Sequence, residues 1–357
     1  MAVLYVTEQG AAIRRRGRTL VVEKQGTPLA EVEGHTLEAV LIFGTAQLTT
    51  PAISFLLNEG IEAAFLTRDG RLKGQLTPVK ARNILLRVAQ FERARQPEFC
   101  LRLARAIVAG KIANALAGLR RFRNNHPEAP LGAAIAHLEN AQREVAHAPS
   151  RETLLGLEGS AARAYFNAFS CMCLGPLPFP GRRRRPPTDP VNALLSLGYT
   201  LVVSELQSLL DARGFDPYLG FLHGIQYGRP SLALDLLEEF RYPLVDRFTL
   251  YLNNKGILAP EDFEEAAPES EAAATPDQAA SSDERAEAAP DPPQGIRLTR
   301  DGLRKYLTAW EDWLSRPALD EATGDRVHYR EIFRRQAERL ARAIREDVAY
   351  VPHRFVP

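Results

Sequence analysis

Two hydrophobic periods divide the chain. Up to about residue 78 the apolar residues come in short runs, at 4–6, 19–22, 39–42 and 63–66. Turn-forming pairs such as Gln9-Gly10, Gln25-Gly26 and Asp69-Gly70 punctuate this stretch. That spacing predicts β-strands joined by turns. One amphipathic segment, residues 51–59, interrupts them as a helix, with Thr50 as its expected cap and Pro51 at its first position. From Val79 the period lengthens to about 3.6 residues and stays helical almost to the last residue. The expected fold class is α+β: a small N-terminal β-sandwich-like domain, residues 1–78, then a larger all-α C-terminal domain, residues 79–357.

Several helix boundaries are written in the sequence. One helical run covers residues 79–125, and another follows Pro149-Ser150 to about Phe169. Asp189 is an expected N-cap with Pro190 in the first helical position, and Ser231 is an expected cap after the turn Gly228-Arg229-Pro230. Pro243 should kink the helix that Ser231 opens. Further helices are expected over 303–314 and 326–347. Between them, residues 262–293 collapse into Ala, Glu, Ser, Asp and Pro, too polar to offset the entropy of ordering, and read as a disordered acidic insert.

Composition changes the picture at three points. With 357 residues, 45% hydrophobic and 25% charged, the chain suits a globular protein of two domains. The net charge of +1 hides an uneven distribution: the acidic insert offsets a basic body. Cys100, Cys171 and Cys173 are too few and poorly spaced for a disulfide framework or a zinc cage. No signal peptide or membrane span is read, so a cytoplasmic location is expected.

The basic residues gather on elements. Residues 79–125 carry Arg82, Arg87, Arg120 and Arg121 among others, and a run of four, Arg182, Arg183, Arg184 and Arg185, is closed by prolines. Arg229 stands beside the Gly228 turn, and Arg334 and Arg335 lie on the last helix. Each group is either a solvated face or a surface for phosphates.

Three awkward polar residues supply the candidate chemistry. Glu158 falls inside the apolar stripe of Leu154, Leu157, Ala161 and Tyr165, where a carboxylate costs desolvation energy unless a cation compensates. Arg163 is the nearest cation in sequence. His223 sits in an apolar turn between Gly220 and Gly224. Asp235 and Glu238 follow, three apart and so on one helix face. Converging, Glu158, His223 and Glu238 would hold a divalent ion. Carboxylate oxygens suit Mg2+ or Mn2+, and an imidazole tilts the preference towards Mn2+.

Longer strings carry a resemblance. L-L-G-L-E-G-S-A-A-R-A-Y-F, D-P-Y-L-G-F-L-H and S-L-A-L-D-L-L-E-E-F-R are similar to segments of the CRISPR-associated adaptation integrases, the Cas-one family. So are L-Y-V-T-E-Q-G near the start and Y-R-E-I-F-R-R-Q-A-E-R-L near the end. The resemblance implies a β-rich domain that builds a homodimer and a helical domain that holds the metal. It maps the family's Glu–His–acid ligand set onto Glu158, His223 and an acid for which the helix offers Asp235, Glu238 and Glu239; Glu238 fits the register best, with Asp235 as a group orienting a ligand. It implies insertion of short duplex DNA into the CRISPR array, a 3′-hydroxyl attacking a phosphodiester of the repeat. Double-stranded DNA and a dimer of the small Cas-two protein are the implied partners. Two other readings share these residues: a metal-dependent repair nuclease on branched DNA, and a non-catalytic DNA-binding scaffold.

Overall fold

Thr49 shows how the N-terminal part is held. In the computed structural model, which describes residues 2–68, 70, 72–77, 83–183, 186–266 and 295–356, its hydroxyl donates to the carbonyl of Ile13 at 3.0 Å. This keeps Thr49 extended against the neighbouring strand, and the helix starts one residue earlier than a Thr50 cap would place it. Helix α1 spans Thr50–Glu59, with Pro51 in its second position.

Around α1 stand two four-stranded sheets. In the first, β1 (Ala2–Val6), β5 (Leu37–Phe43) and β7 (Glu62–Leu66) run parallel, and β8 (Leu72–Leu76) closes the edge antiparallel to β7. In the second, β2 (Ala12–Arg16), β3 (Thr19–Lys24) and β4 (Thr27–Glu33) form an antiparallel meander, and β6 (Gln47–Leu48) lies parallel to β2. Parallel neighbours need a crossover, and α1 supplies the one between β5 and β7. Ile13 and Leu20 of one sheet, Val40 and Ile42 of the other, and Phe55 and Leu56 of α1 share one core. The β-sandwich-like expectation is met, with a helix in the packing.

The expected helical run over 79–125 is two helices, α2 (Ile84–Ala94) and α3 (Pro97–Asn125). Pro97 excludes the residue before it from helical geometry, and Gln96 is extended. The helices α4 (Gly132–Val145), α5 (Arg151–Met172), α6 (Pro190–Arg213) and α7 (Ser231–Phe240) follow, then a π-helical turn (Arg241–Asp246) leading into α8 (Arg247–Asn254). The expected cap holds at Asp189, which accepts from the Asn192 amide, and the helix expected after Ser150 is capped by that residue, which accepts from the Thr153 amide. The widened turn contains Pro243, which explains the break expected there. Ser231 differs: it is the first residue of α7, and its hydroxyl donates to the Gly224 carbonyl instead of capping. Helix α6 is long and apolar enough to cross a membrane, yet 67% of its most apolar window is buried in the fold, so it is a core helix.

Two short hairpins join the helices of this part, β9 (Phe263–Glu265) with β10 (Ile296–Leu298) and β11 (Ala318–Asp320) with β12 (Asp325–Val327). Between them runs α9 (Arg300–Leu314), and α10 (Tyr329–Glu346) comes last. The first hairpin corrects the near edge of the acidic insert. Asp262 is buried, bonded to Lys305, and residues 263–265 pair with 296–298. Residues 267–294 lie outside the described residues. The second hairpin delays the last helix from 326 to Tyr329, which His328 caps by accepting the Glu331 amide on Nδ1.

The larger core takes in Phe43, Ala64 and Leu66 of the first sheet together with the helices. Tyr5 on β1 donates to Glu311 on α9, a second tie between the two parts.

Candidate metal centre

Helix α7 begins beneath the turn that carries His223, and one buried side chain joins the two. Asp235 is fully buried. Its Oδ2 accepts the amides of Phe221 and Leu222 at 2.6 and 3.0 Å, and its Oδ1 accepts that of His223 at 2.9 Å. The same Oδ1 lies 2.7 Å from His223 Nδ1. A carboxylate only accepts, so Nδ1 carries the hydrogen and the lone pair of the neutral ring is on Nε2. Gly220 makes this contact possible: a Cβ there would stand 2.9 Å from Oδ2 of Asp235 and 2.8 Å from Ser231.

One turn further along α7, Glu238 is 3% exposed and doubly bonded by Arg241, at 2.8 and 3.0 Å. Arg241 belongs to the π-turn and is stacked on the Tyr199 ring at 4.6 Å. From α3 the ammonium of Lys111 reaches Glu238 Oε2 at 2.6 Å and also bonds Glu158 Oε1 on α5. Burial acts to raise the Glu238 pKa, but the charges of Arg241 and Lys111 outweigh it and hold this carboxyl well below the usual range. The cation expected beside Glu158 is therefore Lys111; Arg163 is exposed on the far side of α5.

Behind the site lies a hydrogen-bonded floor. Asp246 is buried and accepts the hydroxyls of Tyr165, at 2.8 Å, and Tyr199. A cleft opens above it, with Lys111, Glu158 and Arg241 on its polar side and Ala161, Tyr165 and Phe166 on its apolar side. Among the described residues no three His, Cys, Asp or Glu side chains stand together at metal-holding separation. Glu158 and Glu238 meet through Lys111, and His223 is tied to Asp235 within electrostatic reach of Glu238.

The family model described as CRISPR associated protein Cas1 matches residues 4–274. The chain belongs to the Cas1 family. A "CRISPR-associated endonuclease Cas1 3" from Thermus thermophilus is 36% identical over 345 residues, spanning 96% of this chain and 93% of the relative. Among solved structures, a chain of a "Cas6-RT-Cas1--Cas2 complex" superimposes with a TM-score of 0.78 at 26% identity, over 99% of this chain and 36% of that one. A "Casposase bound to integration product" shares the fold, with a TM-score of 0.78 at 21% identity over 98% of this chain and 92% of that one.

The arginines of this Cas1 chain divide by their partners. Arg335 bonds Asp320, Asp325 and Glu331, and so staples the β11–β12 hairpin to α10. Arg334 pairs with Glu331. With Arg339 on Asp320 and Arg330 on Glu205 and Glu311, the basic face expected on the last helix is largely neutralised. Arg87 donates to the Phe215 carbonyl and Arg120 pairs with Glu139. Arg229 contacts Gln226. Arg182 is drawn inward, bonded to Asn192 at 2.6 Å and set over Tyr199 and Phe166. Arg121 and Arg183 are exposed. Arg82, Arg184 and Arg185 lie outside the described residues.

Sequence reasoning missed Lys111, Arg241 and Asp246. Lys111 had one visible signal, a lysine in the stripe of Ile107, Val108, Ile112 and Ala115, all buried on α3.

Proposed function

We propose that this chain is the metal-dependent DNA endonuclease and integrase of CRISPR adaptation, with Glu158, His223 and Glu238 as its metal ligands and Asp235 orienting the histidine. The observation that carries the reading is the gathering of Glu158 and Glu238 about a single cationic group, beside an imidazole that Asp235 turns into a one-sided donor. Two carboxylates and one neutral imidazole form an oxygen-rich donor set that fits Mg2+ or Mn2+. Bound there, the ion would polarise a phosphoryl oxygen as a Lewis acid.

The remaining work falls to the protein. Arg241, fixed by Glu238 and Tyr199, sets positive charge at the cleft where a phosphodiester would lie. The 3′-hydroxyl of a short duplex attacks the repeat phosphorus. One P–O bond forms as the repeat's P–O3′ bond breaks, and the proton lost by the attacking hydroxyl is balanced by the one gained at the leaving oxygen. Exchange of one phosphodiester for another needs no further reactant, and water in place of the hydroxyl gives cleavage. Double-stranded DNA is the substrate, bound by backbone contacts from exposed arginines such as Arg121 and Arg183. A Cas2 dimer is the partner, in keeping with the complex that includes the structural neighbour. The β-rich part, residues 1–78, is the homodimerisation unit and residues 79–357 the catalytic one. Three free cysteines suit the cytoplasm.

Strand transfer of a duplex with free 3′-hydroxyls into a plasmid bearing leader and repeat tests the reading, with Cas2 present. Joining at the repeat with Mn2+ or Mg2+, abolished by chelator and by Glu158→Ala or His223→Ala, is the expected result. Nicking without joining would point to the repair nuclease, and binding without either reaction to the scaffold.

A further inference from the structure

We propose that Lys111 is a built-in counter-cation for the metal centre: its ammonium holds Glu158 and Glu238 together, and an incoming metal ion displaces it. This rests on the reading of those two carboxylates as metal ligands.

Geometry distinguishes Lys111 from the other cation at the site. Both carboxylates bond the same nitrogen, and the lysine side chain is only 14% exposed. Two carboxylates held this close in a poorly hydrated place repel each other, and a cation between them offsets that repulsion. Arg241 cannot yield that place, since it grips Glu238 with two nitrogens and lies on the Tyr199 ring. Lys111 can. It is a compact charge on a four-carbon stem, rooted among the apolar residues of α3 and reaching the cleft edge. An ammonium and a divalent ion cannot share the space between the carboxylates. Metal uptake must therefore expel Lys111, and metal affinity carries the cost of doing so.

The test is Mn2+ binding to the purified full chain, followed by the electron paramagnetic resonance signal of the free ion, with melting temperatures taken with and without Mn2+. Lys111→Met should bind Mn2+ about tenfold more tightly than wild type because a competing charge is gone. It should melt lower than wild type without metal and recover with it. Lys111→Arg, which keeps a cation there, should restore metal-free stability. Lys111→Gln replaces the methionine variant if that does not fold. Equal or weaker Mn2+ affinity in the neutral variant overturns the proposal. If wild type binds Mn2+ and Glu158→Gln does not, such a result removes the role of Lys111 alone. Failure of wild type to bind Mn2+ overturns the ligand assignment and this inference together.

Discussion

Oδ1 of Asp235 takes both the backbone amide and, at 2.7 Å, the ring Nδ1 of His223, so one carboxylate oxygen fixes the position and the orientation of the histidine together. Asp235→Asn disturbs this arrangement whichever way its amide is turned. Its amide nitrogen must face either the ring or the amides of Phe221 and Leu222, leaving donors opposed. Melting should show a loss of about 1–3 kcal/mol. Mn2+ affinity should fall about 10–100-fold, the range for groups that orient a metal ligand. Unchanged metal affinity would make Asp235 a purely structural clasp.

Glu158 is on the rim, with its side chain 20% exposed, so its removal should spare the fold. For Glu158→Ala we expect strand transfer to drop by more than about 100-fold, beyond what loss of an orienting group costs. Circular dichroism should remain native. Loss of folding with no specific loss of activity would support the scaffold reading.

His353 gives a pH-dependent component of stability. Burial against Phe240 holds its pKa down at about 4, with Asp320 and Arg339 pulling in opposite directions. A base whose folded pKa is depressed stabilises the fold above its ordinary value near 6.5, and that contribution is lost as pH falls towards 4. His353→Phe removes this component. Relative to wild type the variant should gain up to roughly 3 kcal/mol between pH 8 and pH 4, read by denaturant melts at each pH. A pH-independent difference would refute the assignment.

The arginines predict different salt behaviour. Arg121→Ala with Arg183→Ala should lower DNA affinity and flatten its dependence on salt by roughly two counterions. Arg335→Ala should lower the melting temperature through the lost hairpin staple and leave the salt slope unchanged. Fluorescence anisotropy over a salt series reads both.

What the sequence made legible was local. Asp189 before Pro190, Ser150 before its helix and the short apolar runs of the first strands depend on near neighbours, and all appear as expected. Tertiary partners were not legible. Glu158 needed a cation, but the nearest in sequence, Arg163, points outward, while Lys111 comes from a helix 47 residues away. The last helix looked basic because its acids, Asp320 and Asp325, sit on a hairpin too short for periodicity to reveal. Ser231 looked like a cap until the fold offered it the carbonyl of Gly224. The candidate site was picked out by chemistry, a histidine and two acids out of place, rather than by pattern.

Neighbouring glutamates on α7 face opposite ways. Glu238 bonds Lys111 and Arg241 at the cleft, while Glu239 is buried away from them, its pKa raised by burial to about 7. It accepts the hydroxyl of Tyr350, the side-chain amide of Gln336 and the backbone amide of His353. Asn114 of α3 ties the same strap by accepting the Phe355 amide and donating to the carbonyls of His353 and Glu239. The bond from His353 to Glu239 spans 114 residues of sequence. On the ribosome, then, α7 lacks its rear anchor long after Glu238 has been made. The helix is anchored on both faces only when the strap through residue 355 has emerged.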